Sequence, residues 1–294
     1  MQLGLALPQF GPLSDATRIA DFARTTEELG YRSLWVGDRM LTPVRPSDPY
    51  PGVQQPYPAE FTRTLDPIVT LSVAAAATEH IRIGASALDA PLYNPVLLNR
   101  ALTSIDLLSN GRLDVGAGLG WLRDEYTAAN VGWNDRGARL TEILDIWQLM
   151  WTQSQFGYAG KFFTVAESVT DLPPVQPGGP PVLLSGLSVP AMKRIGRRGA
   201  GWLSIGGLPE AFESALWNTA VGAAEASGRD PARLRRVTRI NSPAGSSVAD
   251  IGREIDTCFQ RGATETFVDL SYCTRNIDDA LEVAAKLAAD VGAQ

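Results

Sequence analysis

A chain of 294 residues, 45% hydrophobic and 20% charged, can bury a sizeable core and falls within the size of one strand–helix barrel domain. Its net charge of −6 excludes the basic footprint of a general nucleic-acid binder. Two cysteines, Cys258 and Cys273, and one histidine, His80, exclude a disulfide framework and histidine-based metal sites.

The first apolar run, Leu3 to Leu7, is closed by Pro8 and followed by a helical pattern from about Asp15 to Leu29. Its apolar positions Ile19, Phe22, Ala23 and Leu29 recur at three and four, and Gly30 supplies a stop. Ser33–Val36 reads as the second strand. The proline-rich segment from Pro43 to Pro58 is too long for a plain connection, and such loops usually carry function. Pro67 opens the second helix through Ala74–Ala77. Ile81–Gly84 is the third strand, Pro95 to Leu108 the third helix, Leu113–Gly116 the fourth strand, and Arg139 to Met150 the fourth helix. Phe156–Tyr158 and Phe162–Val165 read as a hairpin around Ala159-Gly160.

Four further units follow: strand Val182–Ser185 with helix Pro190–Arg198, strand Gly201–Ser204 with helix Pro209–Ala226, strand Val237–Ile240, and strand Thr266–Leu270 with a last helix near Asn276. The seventh helix carries the capping signature Ser247-x-x-Asp250. The arginines Arg233, Arg235, Arg236 and Arg239 read as a solvated helix-to-strand connection. Eight strand–helix units in order predict an α/β fold, a (β/α)₈ TIM barrel spanning residues 1–294 as one domain. A doubly wound open sheet is the alternative, and the even repetition favours closure. No stretch reaches the ~18 apolar residues of a membrane span, and no basic leader precedes the first run, so a cytoplasmic protein is expected.

In such barrels the loops after the strands build the site. His80 lies before the third strand and so reads as structural. Asp38, Asp89 and Asp269 are far apart in the chain without histidine, which speaks against a two-metal hydrolase. The glycines of Gly116-Ala-Gly-Leu-Gly120 let backbone approach a phosphate or a planar ring, although their spacing is not the dinucleotide fingerprint. Ser185-Gly186-Leu187-Ser188 precedes a helix, and Gly206-Gly207 follows the sixth strand; both are candidate anion turns. Phe10 and Trp121 stand after strands and read as walls for a flat cofactor.

Taken in order, several segments carry a resemblance: Leu29-Gly-Tyr-Arg-Ser-Leu-Trp-Val-Gly-Asp38, Asp66-Pro-Ile-Val-Thr-Leu71, Ile81-Arg-Ile-Gly-Ala-Ser86, Asn94-Pro95, Leu108-Ser-Asn-Gly-Arg-Leu113, Gly116-Ala-Gly-Leu-Gly-Trp121, Pro180-Pro-Val-Leu-Leu-Ser-Gly186 and Gly199-Ala-Gly-Trp202. The chain resembles the luciferase-like monooxygenase superfamily, and most closely its coenzyme F420 (deazaflavin) dependent oxidoreductases. The resemblance implies a tricyclic cofactor across the strand ends, F420 with FMN as the alternative, and a phosphate on glycine turns. It also implies a non-proline cis peptide bond at Ser86-Ala87. The cofactor residues so implied are Phe10, Ser86, Ala87, Gly116, Gly118, Gly120, Trp121, Ser185, Gly186, Leu187, Ser188, Gly206 and Gly207.

One departure has consequences. Members often have Asp-His after the second strand, whereas this chain has Asp38-Arg39. Arginine cannot serve as a base near neutral pH, but it can hold an anion, a carbonyl or an oxyanion. The pair Asp38 and Arg39 is the catalytic expectation, with Tyr126 on the substrate side, no metal, and either reduction of a carbonyl or unsaturated substrate or a role in which protons come from water or Tyr126. Arg123 and Lys193 are candidates for an acidic cofactor tail, and the Pro43–Pro58 segment for a lid. The expected partners are a small organic substrate and a second copy of the chain, whose packing the run Ala74–Ala77 would allow. A reduced-FMN-dependent monooxygenase using oxygen is the first rival, a non-catalytic flavin-binding barrel the second, and a lyase the third, weakened because Lys161, Lys193 and Lys286 are not at strand ends.

Overall fold

The first strand, β1 (Leu3–Ala6), leads through 3-10 turns into α1 (Ile19–Glu28), followed by β2 (Ser33–Val36), α2 (Pro67–Ala77) and β3 (Arg82–Ala85). Next come α3 (Pro95–Leu108), β4 (Leu113–Ala117), α4 (Arg123–Ala128) and α5 (Arg136–Thr152). The hairpin β5 (Gln155–Ala159) and β6 (Thr164–Val169) interrupts the alternation. It resumes with β7 (Val182–Ser185), α6 (Val189–Arg198), β8 (Gly201–Ile205), α7 (Glu210–Glu225), β9 (Arg235–Asn241), α8 (Val248–Gln260), β10 (Glu265–Asp269) and α9 (Ile277–Gly292). These elements belong to a computed structural model that describes residues 1–51 and 57–292.

Among the described residues, eight parallel strands close a barrel in the order β1, β2, β3, β4, β7, β8, β9, β10. Closure is made by β1, which pairs with β2 through Leu5 and Leu34 and with β10 through Leu5 and Val268. The open-sheet alternative is thereby excluded. Helix starts follow local chemistry: Asp66 and Asn94 accept backbone N–H bonds ahead of Pro67 and Pro95, and Ser247 with Asp250 forms the expected capping box. The first helix starts later than the periodicity suggests, because Asp15 caps a 3-10 turn over Ala16–Arg18.

Alternation along the strands sorts the barrel interior into three levels. Across the middle lie Trp35, Leu183, Leu203, Val237 and Phe267, with the Trp35 and Phe267 rings stacked at 5.1 Å. Gly84 makes room for the indole, since a Cβ there would lie 2.5 Å from its ring. Two residues earlier on each strand, Asp114 is held by Arg82 at 2.8 and 2.7 Å and by Arg235 at 2.7 and 3.0 Å. Arg235 also donates to Glu265, which accepts from Ser33. Burial alone would raise the Asp114 carboxyl, but the hydrogen bonds from both arginines outweigh it and hold it below the usual range. Two residues later on the strands, Arg239 and Asp269 face the C-terminal mouth.

The arginine run therefore needs correcting. Arg235 and Arg239 point into the barrel, and Arg236 points outward to Glu213 at 2.5 Å, beside the rings of Trp202 and Trp217. Of the four, Arg233 alone is exposed, in the turn before β9. Ala74 and Ala75 are buried within this chain, so half of the small-residue run faces its own core. No helix among the described residues is long and apolar enough to cross a membrane.

Candidate active site

At the C-terminal mouth the floor is backbone. The Ser86–Ala87 bond is cis, as the resemblance implies. The bulge it forms is tied to its neighbours: Ser86 N–H donates to Val36 O at 2.7 Å, Leu88 N–H to Gly116 O at 2.9 Å, and Gly118 N–H to Leu88 O at 2.8 Å. Gly118 lets its strand end pack closely against this bulge, because a Cβ there would lie 2.4 Å from Ser185 Oγ and 3.4 Å from the Ala87 methyl. Beyond Ser185, the Gly186 carbonyl accepts from the Trp202 indole at 3.1 Å, Leu187 is exposed, and Ser188 caps α6. After β8 the Gly206-Gly207 turn borders a cavity of about 330 Å³ between α7 and α8, lined also by Glu213, Arg253, Glu254 and Arg261.

The opposite wall is aromatic and cationic. Arg39 is buried, its Cζ 4.6 Å from the Trp121 ring centroid and 5.5 Å from that of Phe61. Tyr50 and Tyr57 pack edge-on against Trp121 at 5.2 and 5.4 Å, and Tyr50 against Phe61 at 5.4 Å. The proline-rich segment is thus folded over the mouth where it is described, and residues 52–56 of it lie outside the described residues. Ser47 donates from N–H and hydroxyl to Asp124, and Asp48 accepts from the Arg123 N–H at 2.9 Å. Phe10 lies buried between Gly37 and Phe61, so it supports this wall from beneath.

Around Arg39 three carboxylates converge. Its Nη1 is 3.4 Å from Glu125 Oε2 and its Nη2 is 3.9 Å from Asp89 Oδ2. Asp38 accepts from the Asp89 N–H and from the Tyr93 hydroxyl, both at 2.9 Å. Glu125 accepts from the N–H groups of Met40 and Leu41. Burial raises the Asp38 carboxyl to about 6 against those two hydrogen bonds; Glu125 pushes it up further and Arg39 opposes. Asp89 is driven well above its ordinary value by burial first and by Asp38 next. Asp38 and Asp89, scattered in sequence, are therefore one unit. Among the described residues, no three His, Cys, Asp or Glu side chains are grouped so as to hold a metal ion.

Sequence reasoning missed Glu125, read Arg239 as part of a solvated connection, and set Asp89 and Asp269 aside as scattered acids. Arg239 pairs with Asp269, donates to the Asn241 amide oxygen at 2.8 Å, and reaches the Ser86 carbonyl at 3.3 Å. Burial opposes its charge, but Asp269 and the nearby Tyr272 and Tyr50 outweigh that. The signal was available in the alternations Arg235-x-Val-x-Arg239 and Glu265-x-Phe-x-Asp269, where charge flanks an apolar centre with period two. Tyr126 is a correction. It is buried against Trp133 and its hydroxyl donates to the Leu119 carbonyl, so it backs the glycine turn. His80 is exposed ahead of β3, far from the mouth in the barrel's layering. Arg123 is committed to Asp48, and Lys193 is an exposed side chain of α6.

The profile of the luciferase-like monooxygenase family matches residues 1–287. An uncharacterized protein of Mycobacterium tuberculosis is 33% identical over 185 residues, which are 62% of this chain and 65% of that protein. The chain thus spans just under two thirds of the length of that relative. An F420-dependent glucose-6-phosphate dehydrogenase of Amycolatopsis mediterranei is 28% identical over 203 residues, 68% of this chain and 55% of the relative. Among solved structures, a monooxygenase from Streptomyces bottropensis superposes with a TM-score of 0.79 at 18% identity, covering 98% of each chain. An F420-dependent secondary alcohol dehydrogenase with an F420–acetone adduct gives 0.76 at 14% identity, over 97% of this chain and 98% of the other. At such identities these two likenesses establish the fold.

Proposed function

The chain belongs to the luciferase-like monooxygenase family, and from that premise we propose that it is an oxidoreductase transferring hydride between coenzyme F420 and a small organic substrate. The observation that carries this reading is the close approach of backbone at the strand ends, where Gly118 admits no side chain between Ser185 and the Ser86–Ala87 bulge; a planar tricycle would lie against that backbone. The choice of F420 draws on relatives named as F420-dependent dehydrogenases at 24–28% identity.

In this reading the cofactor ring would rest on Ser86, Ala87, Gly116 and Gly118, with Gly120 and Trp121 at its edge. Ser185-Gly186-Leu187-Ser188 and Gly206-Gly207 would hold its phosphate end through backbone N–H groups and the start of α6. When bound, a deazaflavin supplies or accepts hydride, so the protein's part is alignment and exclusion of water. Arg239, braced by Asp269, presents its guanidinium beside the Ser86 carbonyl and would donate to a cofactor carbonyl or anion. The aromatic wall of Tyr50, Tyr57, Phe61 and Trp121 would keep water from a bound cofactor.

The test is a pair of binding titrations of the purified protein, with F420 and with FMN, followed by fluorescence. Tighter binding of F420 is expected, and a preference for FMN overturns the assignment. Arg39→Ala is expected to weaken cofactor binding or turnover; unchanged values for both remove Arg39 from the site.

A further inference from the structure

Tyr50 touches two opposite sides of the mouth. Its ring packs edge-on to Trp121 at 5.2 Å and to Phe61 at 5.4 Å. Trp121 follows β4, the fourth strand around the barrel. On the other side Tyr50 lies beside Arg239, and its hydroxyl faces that of Tyr272. Arg239 belongs to β9 and Tyr272 follows β10, three and four strands away in a ring of eight. A side chain that meets both groups lies across the opening between them.

The stretch that presents Tyr50 is lightly held. Among the described residues, no backbone–backbone hydrogen bond ties positions 43–51 to the rest of the fold. Its clasps are at the solvent edge: Ser47 donates from N–H and hydroxyl to Asp124 at 2.8 and 3.1 Å, and Asp48 pairs with Arg123 at 3.3 Å. Val44, Arg45, Ser47 and Pro49 are exposed, whereas Tyr50 is half-buried. A stretch fixed by so few exposed bonds opens at little cost in free energy. The surroundings of the phenol describe a place for a flat ring with an oxygen at its edge. Trp121, Phe61 and Tyr57 supply aromatic surface, and a guanidinium and a second hydroxyl meet the oxygen end. Arg239 also reaches the Ser86 carbonyl at 3.3 Å, so that oxygen end adjoins the bulge against which the cofactor is placed above.

Resting on the hydride-transfer reading, we propose that the Tyr50 side chain holds the substrate's place in the unliganded protein, and that the substrate is a planar ring bearing a hydroxyl or carbonyl oxygen. The stretch 43–51 swings aside to admit it. The ring then lies against Trp121 and Phe61, and its oxygen accepts from Arg239 or exchanges a hydrogen bond with Tyr272. Tyr50 is thus a competitor built into the chain. Its effect is to lower the apparent affinity for substrate by the fraction of molecules in which the stretch is open.

The probe is p-cresol, the tyrosine side chain cut free at its β-carbon, with toluene as the same ring without the oxygen. Binding is measured without cofactor, by saturation-transfer NMR and by quenching of tryptophan fluorescence. Tyr50→Ala removes the competitor and should bind p-cresol at least about tenfold more tightly than wild type. Asp124→Ala frees both Ser47 donors and should gain about threefold to tenfold, the worth of one or two exposed hydrogen bonds. Tyr272→Phe, added to Tyr50→Ala, should weaken p-cresol about fivefold and leave toluene unchanged. Tyr50→Phe keeps the ring's packing and serves if Tyr50→Ala does not fold; it drops the competing hydroxyl and should gain about twofold to fivefold. If removing Tyr50 or its hydroxyl leaves p-cresol affinity at the wild-type value, the shared place is overturned. Equal affinities in wild type and Asp124→Ala mark Tyr50 as fixed structure and overturn the exchange. Toluene bound as tightly as p-cresol overturns the oxygen-bearing class. F420 is titrated separately: failure of wild type to bind it removes the cofactor reading, and the p-cresol results are judged apart from it.

Discussion

Replacing Arg39 by Met tests the charge accounting of the mouth without a substrate. Methionine keeps an unbranched apolar stem of similar length and can lie against Trp121 and Phe61 as the guanidinium does, 4.6 and 5.5 Å from their centroids. The cation–π attraction, about 2 kcal/mol for a desolvated arginine, is thereby partly replaced by sulfur–aromatic contact of about 0.3–1.5 kcal/mol. The larger effect is the loss of the single cation 3.4 Å from Glu125 and 3.9 Å from Asp89. The cluster must then take up one more proton than in the wild type. Holding a proton on a carboxyl of ordinary acidity, near 4, costs about 1.4 kcal/mol for each pH unit above that. At about pH 7.5 the bound is about 5 kcal/mol and at about pH 5 about 1.4 kcal/mol, against about 3–5 kcal/mol for breaking a buried ion pair. We expect Arg39→Met to be destabilised by about 3–4 kcal/mol at the higher pH and about 1–2 kcal/mol at the lower. The sign follows from linkage. A carboxyl whose folded value is raised above its unfolded one contributes stability below the unfolded value, and loses it as pH rises through the folded value. Urea unfolding at the two pH values, followed by tryptophan fluorescence and far-ultraviolet circular dichroism, measures both gaps. A gap that is equal at the two values, or wider at the lower, refutes the reasoning.

Other perturbations separate the layers of the barrel. Asp114→Asn leaves Arg82 and Arg235 without their shared anion and should lower stability by about 3 kcal/mol, at the low end for buried pairs because both arginines are partly solvated. Since Asp114 is held below the usual carboxylate range, its contribution is present at neutral pH and lost as pH falls through the folded value. The variant should therefore show a shallower loss of stability in acid, and an unchanged acid limb would count against the network. His80→Gln should change unfolding free energy by less than about 0.5 kcal/mol and leave F420 affinity intact, as for an exposed side chain outside the site; a loss of F420 affinity would return the histidine to the mechanism. Burial pushes both thiols, Cys258 and Cys273, up to about 11, so a thiol reagent near neutral pH should label the native protein slowly and the urea-unfolded protein fast. Rapid native labelling of either residue would show that its burial is not maintained.

What could be read in the sequence was what depends on local pattern. The short apolar runs, the proline and asparagine caps before α2 and α3, and the capping box of α8 all follow from neighbours within four residues. Eightfold repetition then led to closure. The arginines of β9 were misread because the apolar run Val237–Ile240 marks only the middle of the strand; charge occupies both ends of the inward face at Arg235 and Arg239. Their partners come from other strands, and the stagger of the barrel sets Val237 beside Glu265 in register while packing it with Phe267. No spacing in one strand reveals that offset. Tyr126 was misplaced for a related reason. The short helix α4 turns its hydroxyl back to Leu119 and turns Glu125 inward to Arg39, so the residue that serves the mouth is the one next to it.

Arg39, next to Asp38, serves two structures at once. Its guanidinium is the cation among Asp38, Asp89 and Glu125, and its face is the surface on which Trp121 and Phe61 rest. Those rings in turn support Tyr50 and Tyr57 of the overlying segment. Displacing that segment would admit water beside Arg39, and its attraction for the carboxylates would weaken as the local dielectric rises. Hydration would also relieve the burial that raises Asp38 and Asp89, the larger of the two effects, so both carboxyls would be more acidic with the segment displaced and less acidic with the aromatic wall in place. A lysine at this position would supply the same charge but not the planar face that joins the wall to the carboxylates. The geometry thus ties the exclusion of water by the aromatic wall to the charge of the carboxylates around Arg39.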